Sequence, residues 1–309
     1  MARATRLGLW MRTLRAPFFQ AVCVPLVLGT AVAWYRTGQF HLGYFLLALV
    51  GVVFINAGTN LANDYFDHRS GADELNEEYT RFSGGSRTIQ DGLLSPSTVY
   101  RASLVFFGLA SLLGLYLAYT RGWEILIIGI VGIASGYFYT ASPVRVGYRG
   151  WGELLAGFNC GPLVVLGAYY VQARAFSIEA LLAGVSVGLL VAAILYANQF
   201  ADYASDQAAN KRHLVVRMGP QRALKGYYLL IVFAYVVIML GWVLRLMPWT
   251  ALVSLLAIPL AWKAAAELRE NHATKSGAKL IPAMASTIAT HLLTGVLLSG
   301  GYLAGGILE

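Results

Sequence analysis

Residues 58–73 read GTNLANDYFDHRSGAD and close a long apolar segment. Within them Asn60, Asn63, Asp64 and Asp67 fall at i, i+3, i+4 and i+7, which on a helix puts all four side chains on one face. Asn56 extends the stripe back by one turn. Carboxylates and amides are costly against lipid, so such a face turns to a polar cavity or a bound cation. A second stretch, NQFADYASD at residues 198–206, repeats the theme with Asn198, Asp202 and Asp206 at i, i+4 and i+8. Two carboxylate stripes, each ending an apolar segment, predict one shared site for a divalent metal.

Composition sets the surroundings of that site. The 309-residue chain is 58% hydrophobic and only 12% charged, where a soluble domain carries about 25% charged residues. Mean hydropathy is +0.61. The class is therefore an all-α polytopic membrane protein. The formal charge of +8 would suggest nucleic acid in a soluble protein; here the basic residues lie between apolar spans, so no nucleic-acid partner is expected. Cys23 and Cys160, both in apolar runs, exclude a disulfide framework or a zinc site and read as packing residues. The basic start MARATRLGLWMRTLRAP leads into a span-length segment without a small-residue cleavage site, so no cleaved signal peptide is expected.

About nine transmembrane helices fit the lengths a bilayer requires. Their cores fall at 17–35, 43–60, 99–119, 123–139, 154–170, 177–200, 226–247, 249–262 and 284–308. With the N-terminus inside, only Arg36, Arg121, Arg174 and Arg245 of the 23 Lys and Arg residues face outward. Excess Lys and Arg mark the cytoplasmic side, which fixes this orientation. Arg3, Lys275 and Lys279 fall inside, and the short C-terminus ending at Glu309 falls outside. Both stripes then end at the cytoplasmic face, and the two longest loops, 64–98 and 201–225, follow them directly. Long loops in a compact membrane protein are commonly functional.

One Asn/Asp cluster at a helix end reads as a cap or a solvated loop. Two on the same side, both followed by basic residues, read as a site. Carboxylate and amide oxygens suit Mg²⁺, which is commonly held by a few carboxylates plus substrate phosphates. Arg81 and Arg87 follow the first stripe; Lys211, Arg212 and Arg217 follow the second. Metal plus guanidinium groups suits a diphosphate, and a membrane cavity has room for an apolar tail. His41, His68, His213, His272 and His291 show no ligand spacing and read as incidental. Tyr35, Tyr119, Tyr169 and Tyr170 read as an interfacial belt, and Gly132 and Gly136 as helix-packing contacts.

At these residues the sequence resembles the UbiA superfamily of intramembrane aromatic prenyltransferases. The stripes at 60–67 and 198–206 match its two aspartate-rich motifs. Within it, NLANDYFDHRSGAD, including Gly71 and Asp73, and DYASDQAANKRHLVVRMG are most similar to the 1,4-dihydroxy-2-naphthoate polyprenyltransferases of menaquinone biosynthesis. YTASPVRVGYRGWGELLAGFNCGP is a third shared block, and Arg15-Ala16-Pro17 with Pro25 and Gly29-Thr30 is similar to the start of the family's first helix. Gln199 stands where the resemblance leads one to expect a second consecutive Asn. The likeness covers nearly the whole chain.

The resemblance implies a bundle around a central cavity, forming a single domain over 1–309, with 1–16 as a basic cytoplasmic N-terminus. It implies that Asn60, Asp64 and Asp67 bind one Mg²⁺ and that Asn198, Asp202 and Asp206 bind another. Asn63 and Asp73 belong with the first motif. Arg15, Arg81 or Arg87, Arg145 and Lys211 become candidates for phosphate contacts, and Tyr139 for the acceptor or cation pocket. The implied partners are a polyprenyl diphosphate, an aromatic acceptor and the bilayer, with the oligomeric state open. The implied setting is a bacterial or archaeal inner membrane. 4-Hydroxybenzoate and homogentisate stay open as other acceptors. An ion-coupled transporter is the alternative of a different class; its carboxylates would lie near the bilayer midplane rather than at one end.

Overall fold

Lipid offers backbone N–H and C=O groups no partner, so each apolar segment of this length must close its hydrogen bonds within a helix. The computed structural model describes residues 5–274 and 276–308 and follows that rule throughout. Arg3, Lys275 and Glu309, which entered the topological expectation, lie outside the described residues. A short helix α1 (Arg6–Thr13) precedes a 3₁₀ turn (Ala16–Phe19) that runs into α2 (Gln20–Thr37). Then come α3 (Leu42–Ser70), α4 (Pro96–Arg121) and α5 (Glu124–Phe138). Helices α6 (Gly152–Phe158) and α7 (Val164–Ala173) are joined by a π-helical turn (Asn159–Leu163), and α8 (Ile178–Ala201) follows. The short α9 (Tyr203–Ala208) and α10 (Leu214–Met218) lead to α11 (Pro220–Val243), a 3₁₀ stretch (Trp249–Ala257), α12 (Ile258–Asn271) and α13 (Gly277–Leu308).

Eight of these units are long and apolar enough to cross a membrane, and α5 is a ninth, shorter apolar helix of 15 residues. The protein is an integral membrane protein of all-helical fold. Several expected boundaries change. The first stripe does not open a loop at residue 64: α3 continues to Ser70 and stops at Gly71, whose φ of 77° is the left-handed cap that glycine adopts without strain. The first long loop is therefore 71–95, ending at the Ser95 cap and Pro96. The second, expected at 201–225, contains α9 and α10 and ends where α11 starts at Pro220. The second stripe is not one continuous helix either. The backbone turns at Asp202, with φ −89° and ψ 3°, so Asn198 ends α8 while Asp206 lies on α9.

The packing centres on α8, which is buried along most of its length against α2, α11 and α13. Its contact with the α6–α7 pair is backbone on backbone. A Cβ on Gly161 would meet the Gly188 nitrogen at 2.7 Å, and one on Gly184 would meet the Pro162 Cα at 2.8 Å. Helices gain little from the hydrophobic effect inside lipid, so close approach at small residues is what holds them. Tyr169 and Tyr170 are both buried, and Tyr170 donates a 2.5 Å hydrogen bond to Glu124. Tyr119 is 91% exposed.

Candidate active site

Helices α3 and α8 run in the same direction and bring their polar ends together. Lys211 lies between them, with Nζ 3.0 Å from Asp67 Oδ2 and 3.6 Å from Asp206 Oδ2. Arg15 pairs with Asp64 at 2.5 Å and reaches Asn63 Oδ1 at 3.3 Å. It stands at the joint between α1 and the 3₁₀ turn, in a left-handed conformation with φ 51°. That conformation is uncommon for a residue with a Cβ and is held here by the pairing at its tip.

The 71–95 loop folds over both stripes and holds them. Asn76 donates to Asp202 Oδ1 at 2.8 Å, and the Gly84 amide donates to its Oδ2 at 3.3 Å. The Ser86 amide reaches both oxygens of Asp64 at 3.3 Å. Gly84 and Gly85 take φ values of 75° and 77°, and a Cβ on Gly85 would run into Asp73 Oδ2 at 2.6 Å. The loop is clamped from outside by Arg12, which donates to Ser86 O and pairs with Asp91 at 2.7 Å. Tyr148, which ends a 3₁₀ turn (Val146–Tyr148) ahead of α6, donates to Asp67 Oδ1 at 2.7 Å and shares a hydrogen bond with Ser70.

This cluster forms the mouth of a cavity of about 950 Å³. Asn60, Asn63, Asp67, Asp73, Asn198, Asp202, Asp206, Arg15, Lys211 and Tyr139 all line it. Beyond them the wall turns apolar and runs between α2, α3, α4, α5, α7 and α8 as far as Leu26, Leu117 and Val171. Asp64 lies behind the lining, buried under Arg15 and the Ser86 amide. Arg81, Arg87 and Arg145 are not in the cavity wall. Arg81 is exposed over the Phe82 ring; Arg87 stacks on Tyr79 and donates to the Asp73 carbonyl, and Arg145 sits over Tyr148. Arg87 Nε and Arg145 Nε are buried without a hydrogen-bond partner among the described residues.

Charge is not balanced within the cluster. Asp64, Asp67, Asp73, Asp202 and Asp206 gather around two strong cations, Arg15 and Lys211. Burial, with repulsion from Asp67 and Asp64, holds the Asp73 carboxyl well above the usual range. Burial and the neighbouring Asp206 push Asp202 up to about 6. Burial acts in the same sense on Asp206, but Lys211 and His213 outweigh it and hold that carboxyl low. His213 therefore departs from the incidental reading: its Nε2 lies 3.2 Å from Asp206 while Nδ1 accepts the Val216 amide at the start of α10.

The donor set fits a divalent cation. Among the described residues no three His, Cys, Asp or Glu side chains close a ready-made cage. Mg²⁺ does not need one, because it keeps waters and shares substrate phosphates. Asp73 Oδ2, Asn198 Oδ1 and Gln199 Oε1 are buried oxygens without a hydrogen-bond partner among the described residues. Asn60 spends its amide nitrogen on Leu14 O and Asn56 Oδ1, which leaves its carbonyl oxygen for the site. Tyr148, Asn76, Ser86 and His213 were not foreseen as site residues. Each is a lone polar residue in a loop whose role depends on how that loop folds back.

Residues 22–291 match the sequence profile of the UbiA prenyltransferase family. The chain is 31% identical over 306 residues to the 2-carboxy-1,4-naphthoquinone phytyltransferase of Synechocystis sp., covering 97% of this chain and 94% of that protein. It is 31% identical over 301 residues to the 1,4-dihydroxy-2-naphthoate octaprenyltransferase of Bacillus subtilis, covering 96% and 92%. The Mycobacterium tuberculosis protein of the same name is 33% identical over 298 residues, with 96% and 97% covered. Among solved structures, the fold is similar to a UbiA homolog from Archaeoglobus fulgidus bound to DMAPP and Mg²⁺, with a TM-score of 0.63 at 18% identity, covering 94% of this chain and 99% of that one. An apo UbiA homolog from Aeropyrum pernix gives 0.65 at 15% identity, with 92% and 97% covered.

Proposed function

The chain belongs to the UbiA prenyltransferase family, and from that premise we propose that it transfers a polyprenyl group from an isoprenoid diphosphate to an aromatic acceptor. The acceptor we assign is 1,4-dihydroxy-2-naphthoate, the substrate named for relatives that match over nearly their whole length. The observation that carries the reading is the joining of two Asn/Asp stripes across Lys211 at the mouth of a cavity whose depth is apolar. A diphosphate fits the mouth and a hydrocarbon chain fits the depth.

Asn60 and Asp67 at the mouth, with Asp64 behind them once Arg15 turns from it to the diphosphate, would hold one Mg²⁺, and Asn198, Asp202 and Asp206 a second; the ions supply charge withdrawal from the diphosphate leaving group. Arg15 and Lys211 line the same mouth and place cationic donors toward the phosphate oxygens. As the allylic C–O bond breaks, diphosphate departs with the electron pair. Tyr137, Phe138 and Tyr139 line the adjoining wall and present aromatic faces to the positive charge left on the prenyl carbon. The electron-rich ring forms the new C–C bond at the carbon bearing the carboxylate, which leaves as CO₂. The enclosing helices keep water from capturing the cation.

We further infer that the N-terminus and the site face the cytoplasm of a bacterial or archaeal inner membrane, as the Lys and Arg distribution supports. The full chain is read as one catalytic domain. The test is direct. Membranes containing the protein are incubated with Mg²⁺, geranylgeranyl diphosphate and a panel of 1,4-dihydroxy-2-naphthoate, 4-hydroxybenzoate and homogentisate, and products are read by mass spectrometry. Decarboxylated, prenylated naphthoquinol, lost with EDTA and with Asp64→Asn, is the expected result. Product from another acceptor would discard the naphthoate assignment. No product and no Mg²⁺-dependent diphosphate release would sink the transferase reading.

A further inference from the structure

The cavity wall carries a polar group that the diphosphate end does not use. After α6 the backbone opens into the π-helical turn, and Asn159 and Cys160 on that turn line the cavity. Single π turns inside helices commonly re-aim a side chain at a functional site. Asn159 Nδ2 donates to Ser135 Oγ at 2.7 Å, and the Ser135 hydroxyl donates to the Val131 carbonyl at 2.5 Å. With its proton spent on that carbonyl, Ser135 can only accept from Asn159. This fixes the amide with nitrogen toward Ser135 and oxygen away from it. Asn159 Oδ1 is then a buried acceptor with no partner among the described residues. Such a group is costly unless a ligand completes it.

Its depth is set by the neighbouring residue. At Gly136 a Cβ would run into the Thr59 side chain, so α5 touches α3 there. The Ser135–Asn159 pair thus lies near the level of Thr59 and Asn60, at the inner end of the first stripe. The two substrates differ in what they bring to that level. An isoprenoid diphosphate offers phosphate oxygens, which only accept, and hydrocarbon. A hydroxyaromatic acceptor offers O–H donors.

We infer that Asn159 Oδ1 accepts the hydrogen bond of a ring hydroxyl on the aromatic acceptor, so that the π turn between α6 and α7 forms the acceptor subsite. The inference rests on the prenyl-transfer reading above. A hydrogen bond from the hydroxyl leaves more electron density on the ring, and it orients the ring beside the allylic carbon.

The experiment compares wild type, Asn159→Leu and Ser135→Ala in initial-rate kinetics with 1,4-dihydroxy-2-naphthoate, its monomethyl ethers and geranylgeranyl diphosphate. For Asn159→Leu the acceptor KM is expected to rise about tenfold while the donor KM stays within about twofold. Wild type should discriminate against the ether that lacks the bonded hydroxyl, and the variant should not. If Asn159→Leu does not fold, Ser135→Ala carries the test: it frees the amide to turn and should give the same split in smaller measure. An unchanged acceptor KM, or equal shifts for both substrates, overturns the inference and leaves prenyl transfer standing. Wild type that turns over no hydroxyaromatic at all overturns the prenyl-transfer reading, and the subsite with it.

Discussion

Lys211 is the residue on which the two halves of the site depend. It is 16% exposed and touches a carboxylate from each stripe. Replacing it with methionine keeps the stem and removes the charge, leaving Asp67 and Asp206 facing one another in a buried setting. Breaking a buried pair in this way costs about 3–5 kcal/mol, so Lys211→Met should lower both the thermal stability and the rate. Turnover is expected to fall by at least about 100-fold, because the same cation belongs to the proposed diphosphate site. Tyr148→Phe is the milder contrast. It removes one hydrogen bond to Asp67 while Lys211 and Asn63 remain, so about 1 kcal/mol of stability and about tenfold in rate are expected. Thermal unfolding in detergent and initial rates, measured together, check both. A Tyr148→Phe enzyme as impaired as Lys211→Met would mean that the tyrosine, not the lysine, organises Asp67. At this scale the sequence was legible wherever spacing carries information. Asn60 and Asp67 repeat at helical intervals on α3, whereas the spacing of Asn198 and Asp206 crosses the helix break at Asp202 that the sequence did not show. Tyr148 and His213 stand alone in loops, where chain direction decides which side chain meets which carboxylate, and no period encodes that.

Helices were legible from their apolar length, but their ends and irregularities were not. Apolarity stops near Asn60, where the polar stripe runs, while backbone helicity continues ten residues further to a glycine cap. The π turn at Asn159–Leu163 is likewise silent in composition. Pro162 lacks an N–H and sits inside the widened turn, yet the flanking residues read as one ordinary span. What does emerge from the small residues is the α8 seam. Gly161 meets the Gly188 backbone, so Gly161→Leu has no space to relax into and should overpack the seam by about 1–3 kcal/mol or more. Size-exclusion profiles after a heating series would show it as an earlier loss of the monodisperse peak. A normal profile would mean that α6–α7 can move away from α8 without cost.

For the whole molecule, the division of labour lies between a cavity-forming half and a supporting half. Among the described residues, α11, α12 and α13 give nothing to the cavity wall, yet α11 and α13 bury α8 from behind while α12 packs on α13. The cavity itself joins a polar mouth to an apolar depth. It passes from the carboxylates to Leu117 and Val171, close to the Arg121 contact with the Val171 carbonyl at the opposite face. Gly51, Gly114 and Gly129 line its deeper part, and a Cβ at any of them would meet nothing within 4 Å. These glycines differ from Gly161 in kind: they keep volume open for a ligand rather than close a seam. A side chain placed there takes space from the prenyl tail and disturbs no backbone. Gly129→Leu should therefore leave stability unchanged and turnover of geranyl diphosphate within about twofold, while octaprenyl diphosphate loses about tenfold or more in kcat/KM. A donor-length series on wild type and variant measures this. Equal loss for every length would place Gly129 in the fold rather than in the path of the tail. No loss at any length would mean that long tails leave the cavity sideways, between helices, before they reach it.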